Sequence, residues 1–186
     1  MIEKTIFEGL YIVNQKRNID ERGYFVEAFK KKDFEKNGIN IDFVQDNHSY
    51  SKSSYTLRGL HLQMPPMDQA KLVKVIKGSI VDIAVDLRPS SSTYKKYFKI
   101  KLTDSNDKQL FIPTGFAHGF LTLENNTEVI YKTSNYYNKD KELGILWSDT
   151  DIKIKWHDAS FKPIISEKDK INPTLKSLEK FFEQFK

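Results

Sequence analysis

The chain has 186 residues, enough for one domain (1–186) with a sizeable core, and its 39% hydrophobic content, including 13 Phe and 9 Tyr, excludes a disordered polymer. The absence of cysteine removes disulfides, thiolate nucleophiles and Cys-based zinc sites together. The net charge of +5 is carried by scattered lysines that alternate with apolar residues, which argues for a solvated surface rather than a nucleic-acid face.

The N-terminal "MIEKTIFEGLYIV" mixes charged and apolar residues and has no apolar signal core. No later run is long enough to span a membrane, so a soluble cytoplasmic protein is expected. Along the chain the dominant period is two. "GLYIV" opens the strand-like runs, and "KKDFEKNG" then fits a short helix ending at Gly38. "LRGLHLQ" reads as a strand, although Arg58 and His61 stand three apart, and a regular strand sends residues of opposite parity to opposite faces. "LVKVIKG" follows. "SIVDIAVDL" then puts Val81, Ile83, Val85 and Leu87 on one face, with Asp82, Ala84 and Asp86 on the other.

"KYFKIKL", "QLFIP", "FLTL" and "EVIYKTS" continue the pattern, and turn-like "IKGS", "TDSND" and "ENNT" punctuate it. "DIKIKW" is expected as a further strand, alternating Ile152, Ile154 and Trp156 with Asp151, Lys153 and Lys155. The tail reads as a helix capped by Asn172, with Pro173 in the first position and Leu175, Leu178, Phe182 and Phe185 on its apolar face. Many short strands with tight turns and few helices predict a mainly β chain, folded as an antiparallel sandwich or barrel.

Polar residues inside these runs are the candidates for chemistry: His61, Lys71, Asp82, His118 and Tyr131. Singly, each has a bland reading as a hydrogen-bonded histidine, a solvated lysine or a packed tyrosine. If the sheets close into a small barrel, inward-pointing side chains converge on one cavity, and the set becomes a candidate site. "IPTGFAHGF" contains Pro-x-Gly-x-x-His, which resembles the second motif of metal-binding cupins. The corresponding "GLHLQ" has Gln63 in place of a second histidine, and the next ten residues contain no glutamate. Two imidazoles and an amide fall short of the three or four donors of a divalent site, so no metal is expected.

The segments "DERGYFVEAF" (20–29), "FVQDNHSYS" (43–51), "LRGLHLQ" (57–63), "KLVKVIKGSIVDIAVDLR" (71–88), "FIPTGFAHGFLTL" (111–123), "YKTSNYYNKDKELGILWSD" (131–149) and "ISEKD" (165–169) resemble, in order, the dTDP-4-dehydrorhamnose 3,5-epimerases. The resemblance implies a cupin-type jelly roll, a homodimer and a cofactor-independent isomerase. The substrate it implies is dTDP-4-dehydro-6-deoxy-D-glucose, inverted at C3 and C5 in dTDP-L-rhamnose formation. The same matched positions imply His61 as base, Asp169 as its partner, Lys71 near the ketone oxygen and Tyr131 as acid. Asp82 and His118 would complete the polar lining. Arg58 resembles the diphosphate ligand, and Arg22, Phe25, Glu27, Gln45 and Asn47 resemble the nucleotide-binding set. Tyr137 matches a base-stacking aromatic, and Glu142 and Lys168 match further substrate contacts. Gly59 would let the strand kink, so that Arg58 and His61 serve one elongated substrate. Leu62, where the family usually has an aromatic, departs from the pattern. A single-carbon epimerase of another nucleotide-linked 4-keto sugar is the nearest alternative, and a metal-dependent cupin oxygenase or a non-catalytic sugar-nucleotide binder the more distant ones.

Overall fold

A computed structural model describes residues 1–158 and 160–185. The strands and helices run β1 (Ile2–Lys4), β2 (Tyr11–Asn14), β3 (Asn18–Asp20), β4 (Gly23–Phe25), α1 (Lys31–Glu35), β5 (Gln45–Ser51), β6 (Leu57–Gln63), β7 (Lys71–Lys77) and β8 (Ser79–Asp86). They continue with β9 (Tyr97–Thr103), β10 (Lys108–Ile112), β11 (Phe116–Thr122), β12 (Thr127–Thr133), β13 (Glu142–Gly144), α2 (Glu167–Lys170) and α3 (Leu175–Phe182). One sheet has the order β1-β2-β10-β7-β12-β5 and the other β13-β6-β11-β8-β9, while β3 and β4 form a separate hairpin. Every strand pair within these sheets is antiparallel.

Period-two alternation sorts the side chains into three apolar layers. Val73, Val75, Leu110, Ile112 and Val129 of the first sheet meet Ile80, Ala84, Leu102, Phe116 and Phe120 of the second. The outer face of the second sheet, with Leu57, Leu60, Val81, Ile83, Val85 and Leu121, is covered by Leu175, Leu178 and Phe182 of α3. On the outer face of the first sheet, Val13, Leu72 and Phe111 pack with Phe34 of α1. Full burial of such a side chain contributes roughly 1.5–3 kcal/mol, so these layers hold the two sheets face to face. The residues 82, 84 and 86 that read as a polar face are buried too, because β8 lies between the core and the barrel interior.

The expected strand at "DIKIKW" does not form. Residues 151–156 are a turn followed by irregular chain, with Lys153 at φ +53. The alternation tracked burial, since Ile152 and Trp156 are buried against the α3 side, but a left-handed residue breaks the extended run and no ladder is made. The tail helix also starts later than expected. Neither Asn172 as cap nor Pro173 as first residue holds, because α3 begins at Leu175, whose N–H donates to the carboxylate of Asp149 at 2.8 Å. In the N-terminal half, α1 is a single turn. The chain then turns through Gly38 at φ +77, a conformation glycine adopts without steric cost. Among the described residues no helix is long and apolar enough to cross a membrane.

Candidate active site

The puzzle of "LRGLHLQ" resolves at Gly59. In the β6–β11 ladder His61 faces His118 and Arg58 faces Phe120, so three steps on β6 match two on β11. The extra residue is a bulge, and it returns Arg58 and His61 to the same inward face, with Leu57 and Leu60 together on the outer one. Gly59 sits at φ +120, and a Cβ there would lie 2.6 Å from the Cα of Gly119. Only glycine fits.

The inward face of the second sheet thus presents Arg58, His61, Asp82 and His118. On the first sheet, Tyr131 pairs with Val73 and Asn47, while Thr133 pairs with Lys71 and Gln45. That register puts Lys71, Tyr131, Gln45 and Asn47 on one face, with Lys71 and Tyr131 as diagonal neighbours. The two faces enclose a cavity of about 680 Å³ lined by Arg58, His61, Lys71, His118, Tyr131, Lys168 and Asp169, among others. A smaller adjoining pocket of about 140 Å³ shares His61, Lys71 and Tyr131 and adds Gln45, Asn47, Gln63, Tyr137 and Glu142.

His61 and Asp169, 108 positions apart, meet through Nε2 and Oδ1 at 2.6 Å. The Asp169 side chain is 5% exposed and the His61 ring 31%, so the carboxylate is covered while the imidazole opens to the cavity. Burial alone would raise the Asp169 carboxyl. The hydrogen bonds from His61 and from the Gly59 N–H outweigh it and hold the group below the usual carboxylate range. Asp169 lies in α2, whose cap Ser166 accepts from the Asp169 N–H at 3.1 Å. A second imidazole–carboxylate pair, His118 Nε2 and Asp82 Oδ1 at 2.6 Å, is fully enclosed, and burial pulls His118 down despite the carboxylate. Among the described residues, the buried Asp82 Oδ2 has no hydrogen-bond partner.

Burial also lowers Lys71, to about 8, against the upward pull of Asp82 and Glu142. It raises the Tyr131 phenol, with Arg58 acting the other way. At the rim, Glu142 accepts from Tyr137 at 2.8 Å and from Lys168 at 2.5 Å, and these bonds overcome burial to lower its carboxyl. The Arg58 guanidinium rests on the Tyr50 carbonyl at 2.9 Å.

Three expected residues stand elsewhere. Arg22 pairs with Asp20, Glu27 pairs with Lys30, and Phe25 is 67% exposed on the β3–β4 hairpin; none of them lines the cavity. The hairpin belongs to neither large sheet, so nothing in the ladders carries it inward. Conversely, His48, Ser49, Tyr50, Ile164 and Ser166 line the cavity without having been singled out in the sequence. Alternation along "QDNHSYS" could have suggested Ser49, whereas Ile164 lies in irregular chain with no periodic signal.

The donors of the cupin half-motif are engaged elsewhere. Each imidazole has its Nε2 bound to a carboxylate, and Gln63 Oε1 accepts the Asn138 N–H at 3.0 Å. Among the described residues no three His, Cys, Asp or Glu side chains converge as a divalent ion requires.

Two facing antiparallel sheets around a polar cavity define the class: a cupin-type jelly roll whose interior holds acid–base groups. A family profile described as dTDP-4-dehydrorhamnose 3,5-epimerase matches residues 4–177, and the chain belongs to that family. It is 47% identical over 167 residues to the dTDP-4-dehydrorhamnose 3,5-epimerase of Shigella flexneri, covering 89% of this chain and 91% of that one. The crystal structure of the Bacillus anthracis enzyme of that name, with TDP and pyrophosphate bound, superposes with a TM-score of 0.90 at 42% identity, covering 94% and 99% of the two chains. The Legionella pneumophila dTDP-6-deoxy-D-glucose-3,5-epimerase, in complex with dTDP-4-keto-L-rhamnose, gives a TM-score of 0.89 at 38% identity, covering 95% and 93%.

Proposed function

We propose that the chain epimerises dTDP-4-dehydro-6-deoxy-D-glucose at C3 and C5, giving dTDP-4-dehydro-L-rhamnose. The C4 ketone acidifies the hydrogens on both neighbouring carbons, because either carbanion delocalises onto the C4 oxygen as an enolate. The observation that carries the reading is the 2.6 Å His61–Asp169 bond on the wall of a cavity that Lys71 and Tyr131 also line.

With Nε2–H donating to Asp169, the imidazole lone pair is on Nδ1, which takes the proton from carbon. The carboxylate fixes this tautomer and stabilises the imidazolium that forms. The Lys71 ammonium stabilises the enolate oxygen, where a cation in a dry site acts most strongly. Tyr131, kept protonated by burial, returns a proton to the opposite face. The imidazolium then loses its proton to water and the phenolate regains one, so the reaction is a balanced isomerisation.

Arg58, the enclosed His118–Asp82 pair, Gln45, Asn47, Tyr137, Glu142 and Lys168 form the substrate-binding set, with the permanent charge of Arg58 suited to the diphosphate. Arg22, Phe25 and Glu27 serve the same substrate in a homodimer. The β3–β4 hairpin with Arg22 and Phe25, and Glu27 just beyond it, are exposed and lie outside their own chain's cavity, a placement that suits contact with the cavity of a second copy.

The test mixes the protein with dTDP-4-dehydro-6-deoxy-D-glucose, NADPH and a rhamnose-forming reductase. NADPH loss only when the protein is present supports the proposal. No loss at any protein concentration sinks it.

A further inference from the structure

The Asp169 carboxylate that tethers His61 has a further neighbour. In the β6–β13 ladder, Gly144 stands opposite His61. A Cβ on Gly144 would lie 2.3 Å from Asn172 Oδ1 and 2.5 Å from its Cγ and Nδ2, so the Asn172 amide fills the space that a side chain at 144 would take. From that seat Asn172 Nδ2 donates to Asp169 Oδ1 at 3.5 Å, the same oxygen that accepts from His61. Two bonds anchor the chain just beyond it: the Leu146 N–H to the Pro173 carbonyl at 2.9 Å, and the Leu175 N–H to Asp149 at 2.8 Å.

We propose that Asn172 is a positioning residue for the His61–Asp169 pair, seated on Gly144 so that its amide fixes the plane of the Asp169 carboxylate. This rests on His61 being the base. The physical reason is rotational. A carboxylate bonded strongly at one oxygen can still turn about its Cβ–Cγ bond. The Gly59 N–H, 3.4 Å from Oδ2, restrains one side of Asp169, and the Asn172 amide restrains the other. Turning the carboxylate would turn the imidazole with it, and a misdirected base slows proton transfer without weakening substrate binding. Asn172 does not line the cavity, so its effect has to pass through Asp169.

The experiment replaces Asn172 with leucine, which keeps the branched shape and removes the donor. Asn172→Leu is expected to lower kcat about fivefold with KM within about twofold of the parent. It should also displace the downfield N–H proton resonance of the His61–Asp169 bond in the ligand-free protein. Gly144→Ala, which pushes the amide off its seat, should give the same kcat loss, while Gly144→Ala combined with Asn172→Ala should be no worse than Asn172→Ala alone. If Asn172→Leu does not fold, Gly144→Ala carries the same readouts. A wild-type kcat with an unmoved resonance, or a loss confined to KM, overturns the inference. His61→Ala is run alongside: full turnover there breaks the catalytic reading itself, whereas an inactive His61→Ala beside a fully active Asn172→Leu breaks only the role of Asn172.

Discussion

The two sheets line one cavity but treat their polar groups differently. On the five-stranded side both imidazoles are tethered, His61 to Asp169 and His118 to Asp82, each at 2.6 Å. On the six-stranded side the Lys71 ammonium and the Tyr131 hydroxyl have no hydrogen-bond partner among the described residues. Tethering sets a tautomer and an orientation before substrate arrives. The half-buried Lys71 and Tyr131 instead turn their polar ends to the cavity, where a ligand can supply partners. One wall is therefore organised by the protein, and the other leaves its polar ends open to the cavity.

That contrast can be broken by substitution. The largest effect is expected at the tethered base: His61→Ala should lower kcat by about 10²–10⁴-fold, measured in the coupled assay, with the fold intact by circular dichroism. Tyr131→Phe, on the untethered wall, should cost about 10²-fold in product formation while leaving exchange of the substrate's C3 hydrogen with solvent, because the base is still in place. Loss of exchange together with turnover would mean that the two walls do not act separately. Gly59→Ala should destabilise the fold by about 2–4 kcal/mol in urea unfolding, since a Cβ collides with the β11 backbone and φ is positive.

The mildest effect is on pH dependence. Lys71 is held at about 8, protonated below and neutral above, so enolate stabilisation and kcat should fall as pH rises through that value. Asp82 pulls Lys71 upward, so Asp82→Asn should move this alkaline fall to lower pH. An unmoved alkaline limb would separate Lys71 from Asp82.

Much of this was legible in the chain, for reasons that differ by element. Strands such as β8 and β12 announce themselves because alternation reports which face each side chain takes, although β8 is buried on both faces. The same signal misled at "DIKIKW", where Ile152 and Trp156 are buried from irregular chain: periodicity reports which side chains go inside, and hydrogen bonding decides whether a strand forms. Gly59 flagged the bulge because no other residue allows it. Asp169 could not have been found from spacing, since only folding brings α2 to β6; the resemblance of "SEKD" supplied it. Asn172 looked like a helix cap by its place before Pro173, but the residue before α3 is Thr174, and Asp149, distant in sequence, accepts the first helical N–H. Arg22, Phe25 and Glu27 matched the family pattern and yet lie outside their own chain's cavity, because a sequence motif does not say where its residues stand in space.

The central claim is that a tethered imidazole and a free phenol move protons at both carbons beside the ketone. The most direct measurement is NMR of the sugar product formed in deuterated water. Deuterium at both C3 and C5 is the predicted result. A product that keeps protium at either carbon would contradict it.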